Sequence, residues 1–169
     1  MKLRVGFSTT NSLISKIIRW FTDAPVSHTY IRYYDEFLKD EYVVHADWVG
    51  IVILQGEHYN NHNSVIDEYE IEDERLLLSM RKSLKLLGRK YDYWGILNWA
   101  WVITFRRWAK MKMKNFVEDP KKMICVDFCI RILNGAQITA LPYGTYNPKN
   151  LHEWFKEHHE EMGWKRIVK

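Results

Sequence analysis

The sequence predicts an α+β fold in which an antiparallel sheet packs against a helix carrying Cys125. Stretches rich in aromatic and β-branched residues recur through the first 71 residues and indicate strands. Apolar residues at helical spacing surround Cys125, and Asn134-Gly135 is a usual place for a left-handed helix end. At 169 residues the chain can bury a proper core, and no repeat or low-complexity linker divides it. We therefore expect one domain over residues 1–169.

In chain order, each element follows from its own pattern. A short strand at residues 3–8 precedes an amphipathic helix at 12–22, whose start Thr10-Asn11 can cap. Alternating aromatic and β-branched residues predict the next strands, and His58 and His62 fall in an Asn-rich loop between the last two. These strands span residues 26–34, 42–46, 51–54 and 64–71.

The second half is expected to be mainly helical. The acidic run at 67–74 predicts a solvated edge that also helps to start the next helix, at 74–87. The apolar residues of this helix, Leu87 among them, are expected to point inward. A Trp-rich apolar helix at 96–105 follows and continues into a basic stretch. After the Cys125 helix, Asn147-Pro148 caps another helix, and residues 164–168 suit a last strand.

Composition excludes several classes of protein. The net charge of +4 is too small to indicate nucleic-acid binding. The two cysteines lie four residues apart on one predicted helix, which disfavours a disulfide, and no Cys/His spacing suits zinc. We therefore expect neither a metal nor a cofactor. With no apolar leader and no run of 18 apolar residues, the sequence predicts a cytoplasmic protein.

Cys125 is the candidate nucleophile. A thiol in the first turn of a helix faces unpaired backbone N–H groups and the positive end of the helix dipole, and both favour the thiolate. Cys129, one turn deeper among apolar neighbours, is typical of a buried structural cysteine. The alternative is that both cysteines belong to the core.

Two histidines lie near the ends of neighbouring predicted strands. Period two places His28 on the same strand face as Tyr30 and Arg32, and His45 lies on the returning strand. A single strand histidine is more often structural, so this alternative stays open. For the other five histidines we expect plain surface roles; they are His58, His62, His152, His158 and His159.

Four segments together resemble the NlpC-type papain-like cysteine hydrolases. Ser27–Ile31 is similar to the histidine strand of that family, and Val43–Ala46, with Gly50-Ile51 after it, to the strand that follows. Gly88–Gly95 resembles its Gly-x-x-Tyr-x-Trp-Gly segment, and Cys125–Phe128 its nucleophile. Here the cysteine comes last, as in the circularly permuted branch that includes the YiiX-like proteins and lecithin:retinol acyltransferase. The similarity spans residues 26–151.

This resemblance implies a Cys-His-His triad. Cys125 would attack a carbonyl carbon, His28 would move the proton, and His45 would hold the second ring nitrogen of His28. The backbone N–H of Cys125 would meet the oxyanion, with the Tyr91 hydroxyl as a candidate second donor. Tyr30, a further candidate for contact with the substrate or oxyanion, stands where the family has glycine, which would narrow the cleft.

The expected activity is hydrolysis of an amide bond through an acyl-enzyme, as in a peptidase or amidase, cell-wall peptide included. Thioesterase or lipid acyltransferase activity on an ester-like or lipid-like substrate is the alternative for the permuted branch. A non-catalytic binding module is the second class of function. The insertion at about 96–122 is expected to be a lid, or an element that contacts a membrane surface through 96–114, or else an extra helix packed on the core.

Overall fold

The computed structural model describes residues 2–47, 50–87 and 125–168. In these ranges the chain forms an α+β fold with six strands in one antiparallel sheet of order β4-β3-β2-β1-β5-β6. This confirms the predicted class and the antiparallel sheet. The strands are β1 Lys2–Thr9, β2 His28–Asp35, β3 Asp40–Asp47, β4 Gly50–Gln55, β5 Ser64–Glu72 and β6 Lys165–Val168.

Five α-helices accompany the sheet in the described ranges. Three have side-chain N-caps, because Ser12, Asp73 and Asn147 each accept a backbone N–H of the first turn. The caps at Asp73 and Asn147 confirm the predicted helix starts, whereas the first cap is Ser12 rather than Thr10-Asn11. The helices are α1 Leu13–Thr22, α2 Gly56–His62, α3 Glu74–Ser83 with a 3-10 turn at Leu84–Leu86, α4 Cys125–Gly135 and α5 Pro148–His158.

The two faces of the sheet carry different contents. Alternate residues such as Val5, Ile31 and Val44 belong to the main core, which they share with α3, α4 and α5. Tyr30 and Val43 lie on the opposite face, in a smaller buried cluster completed by Tyr59 of α2. The second face therefore holds a small cluster of its own, apart from the main core.

Three expectations about individual segments are wrong. Residues 56–62 form a helix instead of a loop, because Tyr59 is drawn into the second cluster and Asn60 accepts a hydrogen bond from buried Arg32. The acidic run was expected to be a solvated edge, but two of its residues, Asp67 and Glu68, are buried next to cationic partners. Leu87, expected inside, is exposed.

The end of α4 is built differently from its prediction. The left-handed residue is Gln137, with a φ of 56°. Its N–H donates to the carbonyl of Asn134, and the N–H of Ile138 donates to the carbonyl of Leu133, so that these two hydrogen bonds end the helix. Gly135 instead permits close packing, since an added Cβ would overlap the hydroxyl of Ser79 on α3. The fold therefore uses Gly135 for close helix contact rather than for its backbone freedom.

The Trp-rich insertion at 96–122 and Tyr91 lie outside the described residues. Within the part of the chain that the structure describes, no helix has both the length and the apolar content to cross a bilayer.

Candidate functional site

The structure brings two of the predicted site residues together. His28 opens β2, and His45 lies on β3, where it pairs with Tyr30 two residues further along β2. Both imidazoles lie on the face of the sheet that carries Tyr30 and Tyr59. His28 Nε2 and His45 Nδ1 are 3.0 Å apart, with the two rings nearly perpendicular. This separation is that of a hydrogen bond between two imidazoles.

One tautomer of this pair makes His28 a base. If His28 Nε2 donates to His45 Nδ1, then His28 Nδ1 carries a lone pair and is able to take a proton. The remaining proton of His45 is then on Nε2, which is buried and, among the described residues, has no hydrogen-bond partner. His45 therefore directs His28 as a neutral ring, without the negative charge that a carboxylate would supply.

Burial keeps both imidazoles neutral. Desolvation lowers the pKa of His45 to about 4, against a smaller opposing effect of Asp47. Desolvation, followed by repulsion from His45, lowers the pKa of His28 well below its ordinary value. At neutral pH the pair is therefore uncharged.

Tyr59 supports the pair, although nothing in the sequence singled it out. Its ring packs edge-on to His45 with centroids 5.1 Å apart, and its hydroxyl lies 2.8 Å from Ser8 Oγ. Ser8 is the β1 partner of His28, so the hydroxyl lies at the end of the sheet where β2 begins. The segment around Tyr59 lacks apolar periodicity and gave no helical signal.

Cys125 begins α4, which packs across β2 and β3. The side chain is 3 % exposed and belongs to the main core cluster. Burial raises the pKa of Tyr59, and the charge of a thiolate at Cys125 raises it further, so the thiol lies within electrostatic reach of that hydroxyl. Cys125 thus belongs to the main-core side of the sheet, whereas the imidazoles lie on the side that carries Tyr30 and Tyr59. Transfer of a proton from Cys125 to His28 stays a prediction.

Cys129 has the surroundings expected of a structural thiol. It is fully buried, its sulfur lies 3.5 Å from the Thr29 hydroxyl, and burial raises its pKa well above the ordinary value. Both cysteines are free thiols, as their spacing predicts. The contact with Thr29 fixes α4 against the residue that directly follows His28.

Tyr30 lies in a buried polar cluster behind the histidines. Its hydroxyl donates to Glu68 at 2.7 Å, and Arg32 Nε donates to the same carboxylate oxygen at 2.7 Å. The ring passes directly under Gly6, where any Cβ would overlap it. Because the Tyr30 side chain is fully buried and its hydroxyl is engaged by Glu68, we assign it to the packing behind His45.

The surface role expected for His152 is wrong. His152 is 2 % exposed, stacks on Phe7 and lies 2.6 Å from an Asp67 oxygen. Asp67 is also bound by Arg166 of β6, so the three side chains join α5, β5 and β6. The charged sequence of α5 suggested an exposed position for His152. On the helix, however, this histidine lies on the same side as Pro148, four residues earlier, and this side faces the core. In the described ranges, no group of three or more His, Cys, Asp or Glu side chains is arranged to hold a metal ion.

No protein-family model matches the chain, and the search of the curated proteins finds no significant similarity. The geometry of the described residues is therefore what bears on function.

Proposed function

We propose that the protein is a cysteine hydrolase that cleaves an amide bond through an acyl-enzyme at Cys125. The observation that supports the proposal is the 3.0 Å contact between His28 Nε2 and His45 Nδ1, through which one imidazole orients the other. We further propose that the fold is a circularly permuted papain-like one of the NlpC type. An oriented imidazole beside a helix-terminal thiol is the arrangement that thiol hydrolases require.

The reaction follows from the roles of these groups. His28 Nδ1 takes the thiol proton, and the sulfur of Cys125 forms a bond to the substrate carbonyl carbon. The oxyanion is stabilised by the backbone N–H at the start of α4. When the tetrahedral intermediate collapses, the bond to the leaving nitrogen breaks and His28 returns the proton to it. Water, deprotonated by His28, then releases the acid and restores the thiol.

Two features of the site favour a particular kind of substrate. The imidazoles are uncharged, and the Tyr59 ring and the hydroxyls of Tyr59 and Ser8 lie beside them, so an uncharged peptide-like or lipid-like acyl group is suited to the site. The same acyl-enzyme also serves ester or thioester cleavage and transfer to a lipid acceptor. Which bond is cleaved depends on the leaving group and not on the triad.

Thiol alkylation tests the proposal directly. Iodoacetamide is added to the folded chain, and peptide mass spectrometry follows the labelling of Cys125 and Cys129. We expect Cys125 to react at least tenfold faster, because in the proposed mechanism His28 takes the thiol proton as the sulfur attacks. His28→Ala should abolish this preference, His45→Ala should weaken it, and His58→Ala, a change at an exposed histidine of α2, should leave it unchanged.

The second measurement is an intact mass spectrum after incubation with an activated acyl ester. A cysteine hydrolase should gain one acyl mass, located on Cys125 and lost in Cys125→Ser. Equal and slow alkylation of both cysteines, with no acyl adduct, would contradict the proposal.

A non-catalytic binding module is the second candidate. The observation that favours it is the burial of Cys125, which at 3 % exposed packs like the core residues around it. In that case His28 and His45 form a structural pair, and the equal labelling just described is the expected result.

A further inference from the structure

Helix α1 has its apolar side turned outward. Leu13 and Trp20 are 73 % and 72 % exposed, and Ile14 and Ile17 are also exposed. These four residues, which we call the α1 apolar face, recur at helical spacing and form one stripe. A surface helix normally buries such a stripe, so its exposure indicates a contact made outside the described fold.

The polar side of α1 is held against the sheet. Ser15 and Thr22 are the buried residues of the helix. The Ser15 hydroxyl lies 2.6 Å from that of Ser27 and 3.0 Å from that of Thr9. Because these buried hydroxyls bond one another, turning the apolar face inward would break their hydrogen bonds without replacement. The outward orientation is therefore specified by the fold.

The charges of α1 are all of one sign. Lys16 and Arg19 are its charged residues, and Leu13–Thr22 contains no carboxylate, the nearest being Asp23 at the C-cap. On the helix, Lys16 lies beside Trp20, at the edge of the apolar face. Apolar residues, a tryptophan and flanking cations are the composition of helices that lie in the interface of an anionic membrane. In a twofold pair of α1 helices, the two copies of Lys16 would lie at the contact and repel each other.

From these observations we propose that α1 docks the protein on an anionic lipid bilayer. The α1 apolar face enters the boundary between headgroups and acyl chains, and Lys16, at the edge of that face, meets the headgroup charges. The helix has ten residues, which is about 15 Å of contact along the surface.

Docking would also bring the candidate site near the membrane surface. Ser27, which Ser15 contacts, directly precedes His28, so the histidine pair lies behind the docking helix, on the side away from the α1 apolar face. This step rests on the proposed function: if Cys125 forms an acyl-enzyme, the acyl donor is a lipid-like molecule of the bilayer. The docking itself needs no catalysis.

The test uses the full chain and vesicle flotation. Vesicles of phosphatidylcholine alone are compared with vesicles in which about a third of the lipid is phosphatidylglycerol, a surface that attracts cations. We expect the unmodified protein to float with the anionic vesicles and to bind the neutral ones at least tenfold more weakly. Raised salt should release it, because screening weakens surface charge contacts.

Three variants locate the contact. The double change Leu13→Ser/Trp20→Ser should lower the partition coefficient at least tenfold, since it removes the most exposed apolar residues of α1. Lys16→Gln should lower it about fivefold at low salt. The matched control is Phe37→Ser, because Phe37 is 92 % exposed and lies in the turn at the opposite end of β2. Its binding should stay within twofold of the unmodified protein.

Each remaining outcome is decisive. Absence of flotation with anionic vesicles, or equal binding by the double variant, would overturn the proposal. So would a dimer in sedimentation that the double change dissociates, since a second copy would then occupy the α1 apolar face. Circular dichroism checks that the double variant is folded, as expected for changes at exposed positions. Cys125 alkylation in that variant should match the unmodified protein, so failure of docking and failure of the proposed chemistry give separate signals.

Discussion

Acid should destabilise this protein through His45, and the size of the effect follows from its burial. An unfolded histidine has a pKa of about 6.5, whereas burial lowers the pKa of His45 to about 4 in the folded chain. Between these values the unfolded state holds a proton that the folded state lacks. Stability is therefore complete above about pH 6.5 and falls as the pH approaches 4, by about 1.4 kcal/mol per pH unit.

The assay is urea unfolding, followed by circular dichroism at pH 7 and pH 5. Because pH 5 is about 1.5 units below the pKa of an unfolded histidine, His45 should account for a loss of about 2 kcal/mol in the free energy of unfolding between pH 7 and pH 5. In His45→Asn this contribution is absent, so the free energy of unfolding should fall by about 2 kcal/mol less between pH 7 and pH 5 than in the unmodified protein. His28, whose pKa is also lowered, contributes in the same direction in both proteins.

His58→Asn is the control, since His58 lies exposed on α2 near the site. Its loss of stability between pH 7 and pH 5 should equal that of the unmodified protein. An NMR titration of the His45 ring would add a direct check. If the unmodified protein and His45→Asn lose the same free energy, or if the ring titrates near pH 6.5, then burial does not control His45 and the reasoning is wrong.

Three further changes test the fold around the site. Glu68→Gln should lower the free energy of unfolding by about 3 kcal/mol, because it leaves the buried guanidinium of Arg32 without its closest counter-charge. Gly6→Ala should cost roughly 1–3 kcal/mol, because the new methyl group overlaps the Tyr30 ring and displaces it. Asn147→Ala should cost about 1 kcal/mol through the lost N-cap of α5. Urea unfolding at pH 7 measures all three.

Each of these changes has its own control. Glu72→Gln, on an exposed residue of the same strand as Glu68, should alter stability by less than about 0.5 kcal/mol. If overlap with Tyr30 is the cause, Gly6→Ala should cost less in a Tyr30→Leu background; an equal cost would count against it. Asn147→Ser should keep the cap, so a loss as large as that of Asn147→Ala would contradict the capping role.

Local patterns predicted most elements because each depends on residues close together in the chain. The aromatic and β-branched stretch at 26–34 became β2, and the Asn147 cap starts α5 as expected. The helix at 56–62 was missed because its stability comes from the packing of Tyr59 and the bond from Arg32 to Asn60, which lie far apart in sequence.

The candidate site was predictable in its residue types but not in its surroundings. His28, His45 and Cys125 stood out by position and by resemblance, whereas Tyr59 had no signal of its own. The burial of His152 against Asp67 depends on a contact across 85 positions, which no local pattern contains. A charged neighbourhood in sequence therefore says little about exposure in space.

The sequence by itself determined which residues share a face of a strand or helix, because that depends only on the period of the backbone. The tertiary structure alone decided which face is covered. It turned the apolar stripe of α1 outward by bonding Ser15 to Ser27, and it set the strand register that places His28 within 3.0 Å of His45. Both results arise from contacts between distant segments, whose free energies no window of neighbouring residues can contain.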